Sequence, residues 1–325
     1  MKLLITGVAG FIGFHTAKAL LEQGHEVVGI DNINDYYDVR LKEDRLNHLN
    51  VYSAFLFERV DISFASELEA IFQTHSFDYV LHLAAQAGVR YSIEQPMKYI
   101  ESNIVGFTNL LECLRMHHVK RLLYASSSSV YGNSTDVPFS TEHRTDTPVS
   151  LYAATKKSNE VFMHAYSSLY GIKATGLRFF TVYGPWGRPD MAYFSFADAI
   201  LNKKPIEVFN QGKLSRDFTY IDDVVNAIVK LLEHYQDDSR KDDSHLIYNI
   251  GNHHPVSLEE FISTIEELLG VAAKKEYVDM QKGDVLSTYA DISGLQELIR
   301  YTPKTTLREG LELFLKWYVE YRRVS

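Results

Sequence analysis

Apolar runs alternate with amphipathic stretches through the first half of the chain. The short runs are rich in Val, Ile and Leu and predict buried strands, whereas the longer stretches have helical spacing. The predicted strands are Lys2–Thr6, Glu26–Ile30, Tyr79–Leu83 and Arg121–Ala125, taken as the first, second, fourth and fifth. The predicted helices are Phe11–Gln23, one near Glu67–Thr74 and one near Met97–Met116. This alternation is typical of βαβ units, so we expect an α/β protein with a Rossmann-type, doubly wound parallel sheet.

Two local features refine this pattern. Gly24 stands where a helix C-cap is expected after the first helix. The segment Asn34–Asn50 is dense in charged side chains, and it predicts an inserted helical lid or a solvated loop rather than a strand.

The pattern loosens from about residue 180, where glycine and proline interrupt shorter elements. We predict a helix near 222–235, a surface loop at 236–245, a strand near 246–251 and a packing helix at Leu307–Arg323. The chain therefore divides into a larger domain, 1–180 plus about 221–251, and a smaller C-terminal α/β domain, about 181–220 plus 252–325.

Composition narrows the class of protein. With 325 residues, 46% hydrophobic and 23% charged, the chain fits a soluble globular protein. Its one cysteine, Cys113, excludes an internal disulfide, and without a Cys/His cluster we expect no metal site and a cytoplasmic location. The net charge of −9 without a basic run argues against nucleic acid. The sequence has no span of about 20 apolar residues, so we expect neither secretion nor membrane insertion. A small-molecule partner fits better.

The first candidate for chemistry is the glycine pattern GVAGFIG after the first strand. Gly7, Gly10 and Gly13 would give a tight turn, close approach to a pyrophosphate and close helix packing. Asp31 ends the second strand, at about the distance expected for a carboxylate that binds adenosine ribose hydroxyls. Its charge favours NAD over NADP, unless Arg40 or Lys42 folds back. Glycines that serve only a turn are the competing interpretation.

The second candidate is Tyr152 with Lys156, preceded by the run Ser126–Ser129. About one Y-x-x-x-K is expected by chance in this composition. On a helix, however, the spacing places both side chains on one face, where the ammonium would stabilise a phenolate general base. A serine hydroxyl after the fifth strand could bind the same substrate oxygen. A polar loop accounts equally well for any single one of these serines.

Together these motifs resemble the extended short-chain dehydrogenase/reductase superfamily and, within it, the nucleotide-sugar 4-epimerases. The resemblance covers nearly the whole chain. Its motifs are TGVAGFIG (6–13), LAAQAGVR (83–90), SSSSVYG (126–132), YAATK (152–156), RFFTVYGP (178–185) and RDFTYIDD (216–223). Segments 31–46, 84–92 and 184–192 resemble the UDP-glucuronate 4-epimerases most closely.

The resemblance implies roles for the matching residues. Tyr152 would be the general base, Lys156 its pKa modulator, and Ser127 the hydrogen-bond partner of the reacting sugar hydroxyl. The implied cofactor is NAD, and the matching positions are Gly7, Gly10, Phe11, Ile12, Gly13, Asp31, Asn32, Asp61, Ile62, Leu83, Ala84, Ala85, Gln86, Asn103, Ser126, Tyr152 and Lys156. The implied UDP-sugar positions are Ser127, Ser128, Ser129, Thr181, Arg188, Gln211, Arg216 and Asp284.

Departures from related enzymes narrow the implied reaction. The serine run lacks the acidic pair of dehydratases and the glutamate of decarboxylases. Thr181 stands where galactose-type epimerases usually have Asn, which leaves room for a C6 carboxylate, with Arg188 as its cationic partner. The resemblance therefore implies reversible C4 epimerisation of UDP-glucuronate to UDP-galacturonate through a 4-keto intermediate, with tightly bound NAD.

Two other functions stay open at this point: a 4-epimerase of another UDP-sugar, such as UDP-N-acetylglucosamine or UDP-glucose, and a non-catalytic dinucleotide-binding sensor on the same fold. The resemblance also implies a homodimer that pairs the helices near 97–117 and 152–170. Phe162, Met163 and Tyr166 are candidates for that face, although burial within one chain would explain them equally well.

Overall fold

A parallel sheet organises the first half of the chain. The computed structural model describes residues 1–236, 244–281 and 283–324. The strands are β1 Lys2–Thr6, β2 Glu26–Asp31, β3 Phe55–Arg59, β4 Tyr79–His82, β5 Arg121–Ser127, β6 Ala174–Phe179, β7 Thr181–Tyr183, β8 Pro205–Phe209, β9 Ser215–Tyr220, β10 His245–Ile250, β11 Pro255–Ser257 and β12 Lys274–Val278. In these ranges, seven strands form the main sheet in the order β10-β6-β5-β4-β1-β2-β3, all parallel. The predicted doubly wound α/β fold is confirmed.

Helices cover this sheet and join its strands. They are α1 Phe11–Glu22, α2 Val39–Leu49, α3 Ala65–Thr74, α4 Tyr91–Glu94, α5 Pro96–Tyr99, α6 Phe107–His117, α7 Leu151–Tyr170, α8 Ala192–Leu201, α9 Ile221–Gln236, α10 Leu258–Leu269, α11 Ser293–Ile299 and α12 Leu307–Val324. Alternate residues of β1 enter opposite apolar layers: Leu3 and Ile5 pack into one, Leu4 into the other.

The predicted strands and first helix are confirmed with small shifts at their ends. Gly24 adopts a positive φ of 79°, just beyond the end of α1, as expected for a residue that follows a helix. β5 continues to Ser127, so two of the four serines lie in the strand rather than after it. The third strand, which the pattern left unplaced, is β3.

The helix predicted near Met97–Met116 is helical throughout but not a single α-helix. A π-helical segment, Ile100–Gly106, lies between α5 and α6. Within this segment the Asn103 carbonyl oxygen also accepts a hydrogen bond from Asn159 Nδ2 on α7 at 2.6 Å.

The charged segment Asn34–Asn50 contains a packed helix. Leu41, Leu46 and Leu49 of α2 are buried, and so are the side chains of Lys42 and Arg45. A solvated loop is therefore wrong for this segment, because one face of the helix rests on the body of the protein.

Smaller sheets follow in the second half. Strands β11, β9 and β7 form one, and β12 pairs with β8 in another. The predicted helices near 222–235 and at Leu307–Arg323 correspond to α9 and α12, and the strand near 246–251 is β10. Of the predicted loop at 236–245, residues 237–243 lie outside the described residues. The domain limits at 180, 221 and 251 stay a prediction.

Candidate active site

A cleft of about 1170 Å³ lies at the carboxyl ends of the main strands. One wall consists of the segments that follow β1 to β5, and the other includes residues from β8, β9 and the loop before α8. Parallel sheets bind ligands at this edge. Nearly all of the predicted site residues line this cleft; Asn103 and Gln211 are not among them.

The glycine turn has no room for side chains. Gly7 has a φ of 73°, and a Cβ there would lie 2.6 Å from the Ala84 backbone nitrogen. No side chain caps the start of α1, so its first-turn amides, in residues that line the cleft, are available to an anion. This donor set fits the pyrophosphate of a dinucleotide.

Carboxylates occupy the end of the cleft near β2 and β3. Asp31 accepts hydrogen bonds from the Ala9 and Ile33 amides at 3.2 and 2.9 Å. Burial raises the pKa of Asp31, and the charge of Lys42 opposes this shift. Of the two cations considered near Asp31, Lys42 lines the cleft, whereas Arg40 is exposed and paired with Asp38.

The neighbouring carboxylate is Asp61, which accepts from Asn32 Nδ2 at 2.8 Å and from the Ser63 hydroxyl at 2.7 Å. Burial raises the pKa of Asp61, but these hydrogen bonds outweigh burial and leave it below its usual value. The carboxylates of Asp31 and Asp61, with Asn32 beside them, would suit the ribose and adenine of NAD.

Asn103 does not line the cleft but hydrogen-bonds the backbone of Gln86, which does. Its Oδ1 accepts from the Gln86 amide at 2.8 Å, and its Nδ2 donates to the Gln86 carbonyl at 3.0 Å. These two hydrogen bonds fix the backbone of Gln86, and a direct contact of Asn103 with NAD stays a prediction.

The Tyr152 and Lys156 side chains enter the cleft from the start of α7. This helix is capped by Ser150, whose Oγ accepts from the Ala153 amide at 3.1 Å. Lys156 Nζ donates to the Ala125 carbonyl at 2.9 Å, and burial lowers the pKa of Lys156 to about 8. Burial raises the pKa of Tyr152, the Ser127 hydroxyl and the charge of Arg188 lower it in part, and the charge of Asp190 raises it. A half-buried phenol in a cleft that also holds a hydroxyl and two cations is suited to proton transfer.

The serines differ in what they contact. Ser127 Oγ accepts from the Ser129 amide and donates to Ser129 Oγ, both at 3.1 Å. Ser126 Oγ instead donates to Glu160 Oε1 at 2.6 Å, so it is anchored to α7. All four line the cleft, and Ser127 is the one whose hydroxyl lowers the pKa of Tyr152.

The opposite wall carries Thr181, Arg188, Arg216 and Asp284. Arg216 Nη2 lies 3.7 Å from Asp284 Oδ1, and burial lowers the pKa of this arginine. Gln211 lies in a turn after β8 with an exposed side chain, outside this lining. Its contact with UDP stays a prediction.

Sequence reasoning missed the partners of Arg188. Arg188 Nε donates to Asp190 Oδ1 at 3.0 Å, and the Tyr36 hydroxyl donates to Asp190 Oδ2 at 3.0 Å. The spacing Arg-x-Asp in 188–190 could have indicated the pair of Arg188 with Asp190. The Tyr36 contact joins positions far apart in the chain and left no such signal.

Two further features bear on the class of protein. Within the described ranges, no group of three or more His, Cys, Asp or Glu side chains could hold a metal ion. The helices of this part of the chain include none that is long and apolar enough to cross a membrane.

Comparison with known proteins identifies the family. Residues 3–251 match the model of the NAD dependent epimerase/dehydratase family. Protein CapI of Staphylococcus aureus is 52% identical over 99% of both chains. UDP-glucuronate 4-epimerase 2 of Arabidopsis thaliana is 47% identical over 99% of this chain and 76% of its own length. The crystal structure of UDP-glucuronic acid 4-epimerase from Bacillus cereus, in complex with UDP-glucuronic acid and NAD, superposes with a TM-score of 0.92 at 36% identity, over 99% of this chain and 100% of that chain.

The family match covers more than half of the chain and includes the glycine turn, the serine run, Tyr152 and Lys156. These matches identify an enzyme rather than a sensor that shares only the fold, because the family and the relatives are named for epimerases. The chain is thus an enzyme of the extended short-chain dehydrogenase/reductase superfamily and belongs to its NAD dependent epimerase/dehydratase family.

Proposed function

We propose that this enzyme interconverts UDP-glucuronate and UDP-galacturonate by epimerisation at C4, using bound NAD. The observation that carries the proposal is that the Arg188 guanidinium and the Tyr152 phenol line the same cleft. A sugar whose C4 hydroxyl meets Tyr152 therefore has a cation in reach of its C6 carboxylate. Relatives and a solved structure named for this reaction support the substrate.

The residues of the chain handle the proton of this reaction. Tyr152 takes the proton of the sugar C4 hydroxyl, while Ser127 holds the same oxygen and Lys156 stabilises the phenolate. Bound NAD would supply the hydride acceptor and donor for C4. The 4-keto sugar turns about its pyrophosphate linkage, and Tyr152 gives its proton back on the other face.

The carboxylate needs separate control, because 4-keto UDP-glucuronate is a β-keto acid. It loses CO₂ when the C5–C6 bond aligns with the carbonyl π system. Thr181, the serine run and Arg188 line the space where the carboxylate would lie. We assign to them the role of holding it out of that alignment.

The second half of the chain is proposed to hold the UDP group, in the domain of about 181–220 plus 252–325. Arg216, which is largely buried in the wall of the cleft, would donate charge-assisted hydrogen bonds to a diphosphate oxygen. Asp284 would fix this guanidinium through their ion pair.

We also propose that two copies associate through the helices near 97–117 and 152–170. Val161 and Leu169 on α7 are 54% and 70% exposed, and Met97 is 62% exposed. Met163 is buried within one chain, so it belongs to the core and not to such a face. Val161→Glu should convert a dimer to a monomer in analytical ultracentrifugation; an unchanged mass would exclude this face.

No nucleic-acid or membrane partner is proposed, given the net charge of −9. A cytoplasmic location is proposed because Cys113 is a free, buried thiol.

The function is tested by incubating the purified protein, without added cofactor, with UDP-glucuronate, UDP-glucose or UDP-N-acetylglucosamine. NMR should detect UDP-galacturonate without UDP-pentose from the first substrate. Arg188→Ala should raise the KM for UDP-glucuronate far more than the inhibition constant for UDP-glucose. Arg144→Ala is the matched control, because Arg144 forms a similar pair with Asp146 but is exposed.

One observation favours a neutral sugar as the second candidate. Arg188 is already paired with Asp190, so the pair has no net charge to offer an anion. Two results together would establish this alternative. The enzyme would turn over only UDP-glucose or UDP-N-acetylglucosamine, and Arg188→Ala would weaken the binding of UDP-glucuronate and UDP-glucose equally.

A further inference from the structure

A buried arginine connects the glycine turn to the loop that carries Arg188. Arg45 lies on α2, and its side chain is fully buried. We propose that Arg45 is a positioning residue that sets the place of Arg188 relative to Tyr152, and thereby decides whether the keto sugar keeps its carboxylate. This inference rests on the proposed function.

All five N–H groups of the Arg45 guanidinium have acceptors. Nη1 donates to the Ala9 carbonyl at 2.8 Å and to the Tyr37 hydroxyl at 2.7 Å. Nε and Nη2 donate to the Trp186 carbonyl at 3.1 and 2.6 Å, and Nη2 also donates to the Gly187 carbonyl at 3.1 Å. One side chain thus holds the cofactor turn at Ala9 and the two residues that precede Arg188.

The loop at 184–190 needs such an anchor. Trp186 has a φ of 59°, a left-handed conformation that is costly for a bulky residue and persists only where its surroundings impose it. Two Arg45 hydrogen bonds reach the carbonyl of this residue. Arg45 therefore fixes the strained backbone at Trp186, two residues before Arg188, and this backbone sets the direction in which the Arg188 side chain leaves the loop.

A second contact from the same domain supports this anchor. His15 Nε2 on α1 donates to the Pro185 carbonyl at 2.9 Å. Burial lowers the pKa of His15 to about 4, so its ring is neutral and can donate from Nε2 at physiological pH. Beyond the anchor, the Arg188 amide donates to the Tyr193 hydroxyl at 3.0 Å.

The acceptors of Arg45 are neutral, which makes its removal informative. Four of its five hydrogen bonds go to backbone carbonyls and one goes to a phenol. Replacing it breaks no direct salt bridge, and Asp31, whose carboxylate its charge also stabilises, keeps the larger stabilisation from Lys42. We therefore expect the loop to shift while the rest of the enzyme stays folded.

A shifted Arg188 would let the carboxylate rotate into alignment with the C4 carbonyl. The C5–C6 bond then breaks, CO₂ leaves, and its electron pair passes to the carbonyl as an enolate. The enolate takes a proton from water at C5 and becomes a UDP-4-keto-pentose. This product measures the position of the carboxylate, which a merely structural role of Arg45 would not affect.

The test compares wild type, Arg45→Met, Arg45→Lys and the exposed control Arg40→Met from the same helix. Each is incubated with UDP-glucuronate labelled with ¹³C at C6, and NMR follows UDP-galacturonate against CO₂ and UDP-pentose products. In Arg45→Met we expect the decarboxylated fraction to rise and the KM for UDP-glucuronate to increase about tenfold to a hundredfold, the size of a misplaced binding group. The inhibition constant for UDP-glucose should change less than about twofold, because this sugar has no carboxylate for Arg188 to bind.

Arg45→Lys should show a smaller rise in decarboxylation and in KM than Arg45→Met, because an ammonium keeps three donors and the charge. Proportional losses for both sugars, with no CO₂ from either variant, would overturn the positioning role. If Arg45→Met does not fold, Tyr37→Phe removes one Arg45 acceptor, and a decarboxylated fraction unchanged in both Tyr37→Phe and Arg45→Lys would equally overturn it. A wild type inert towards UDP-glucuronate would contradict the proposed function instead.

Discussion

A buried ion pair beneath the serine strand offers a quantitative prediction. Glu160 on α7 and Arg178 on β6 are each 2% exposed. Arg178 Nε and Nη2 donate to the two Glu160 oxygens at 2.8 and 2.9 Å, and Ser126 Oγ donates to Glu160 at 2.6 Å. Tyr131, whose hydroxyl accepts from Arg178 Nη1 at 3.0 Å, extends the network.

Removing one partner should be costly, because the other charge stays buried. Glu160→Gln and Arg178→Met should each lower the free energy of unfolding by about 3–5 kcal/mol. The double variant removes both charges, so it should cost no more than either single change. The coupling energy in the double-mutant cycle is then about 3–5 kcal/mol as well.

The assay is urea unfolding of the holoenzyme, followed by circular dichroism, with the exposed pair Arg144 and Asp146 as a control cycle. The control should show a coupling of about 1 kcal/mol or less. Additive losses for the buried pair, or single losses below about 1 kcal/mol, would refute the argument from burial.

The pH dependence gives an independent check of the same pair. Burial raises the pKa of Glu160, but its bonds with Arg178 outweigh this and leave the pKa below the ordinary 4.5. A lowered carboxyl pKa contributes stability above pH 4.5 that is lost as the pH falls through the folded value. The gap between wild type and Arg178→Met should therefore narrow below about pH 4.5.

Three further predictions concern the cleft. Tyr152→Phe removes the proton acceptor and should slow formation of UDP-galacturonate by about 10² to 10⁴, measured by NMR, with unchanged unfolding; a variant at a tenth of the wild-type rate would contradict the role of the phenol. Because burial lowers the pKa of Lys156 to about 8, its ammonium is lost as the pH rises through that value, so kcat/KM should fall on the alkaline side, and a profile that stays flat to about pH 10 would count against it. Asp31→Asn removes the charge that would repel a 2′-phosphate, so the variant should retain less NAD after purification and accept NADP on reconstitution, both read by chromatography of the released nucleotide; unchanged cofactor selectivity would exclude this role.

The amino-acid sequence alone determined the parts of the site that depend on local spacing. Strand and helix periods placed the glycine turn after β1 and Asp31 at the end of β2, because each period can be read within a few residues. The i, i+4 spacing likewise placed Tyr152 and Lys156 on one face of α7. The parallel sheet then brings these strand ends to one edge, so the cleft followed from the order of the elements.

Contacts between distant segments were decided only by the tertiary structure. The charge on Arg188 was predicted and its pair with Asp190 is local, but the hydrogen bond from Tyr36 to Asp190 joins two segments that only the folded chain brings together. The local pattern likewise gave no sign of the π-helical segment, of the hydrogen bond from Asn159 to the Asn103 carbonyl, or of the turn that carries Gln211. In the sequence, Arg45 was one of many charged residues in a charged segment. Its buried guanidinium donates five hydrogen bonds, and their acceptors come together only in the folded chain.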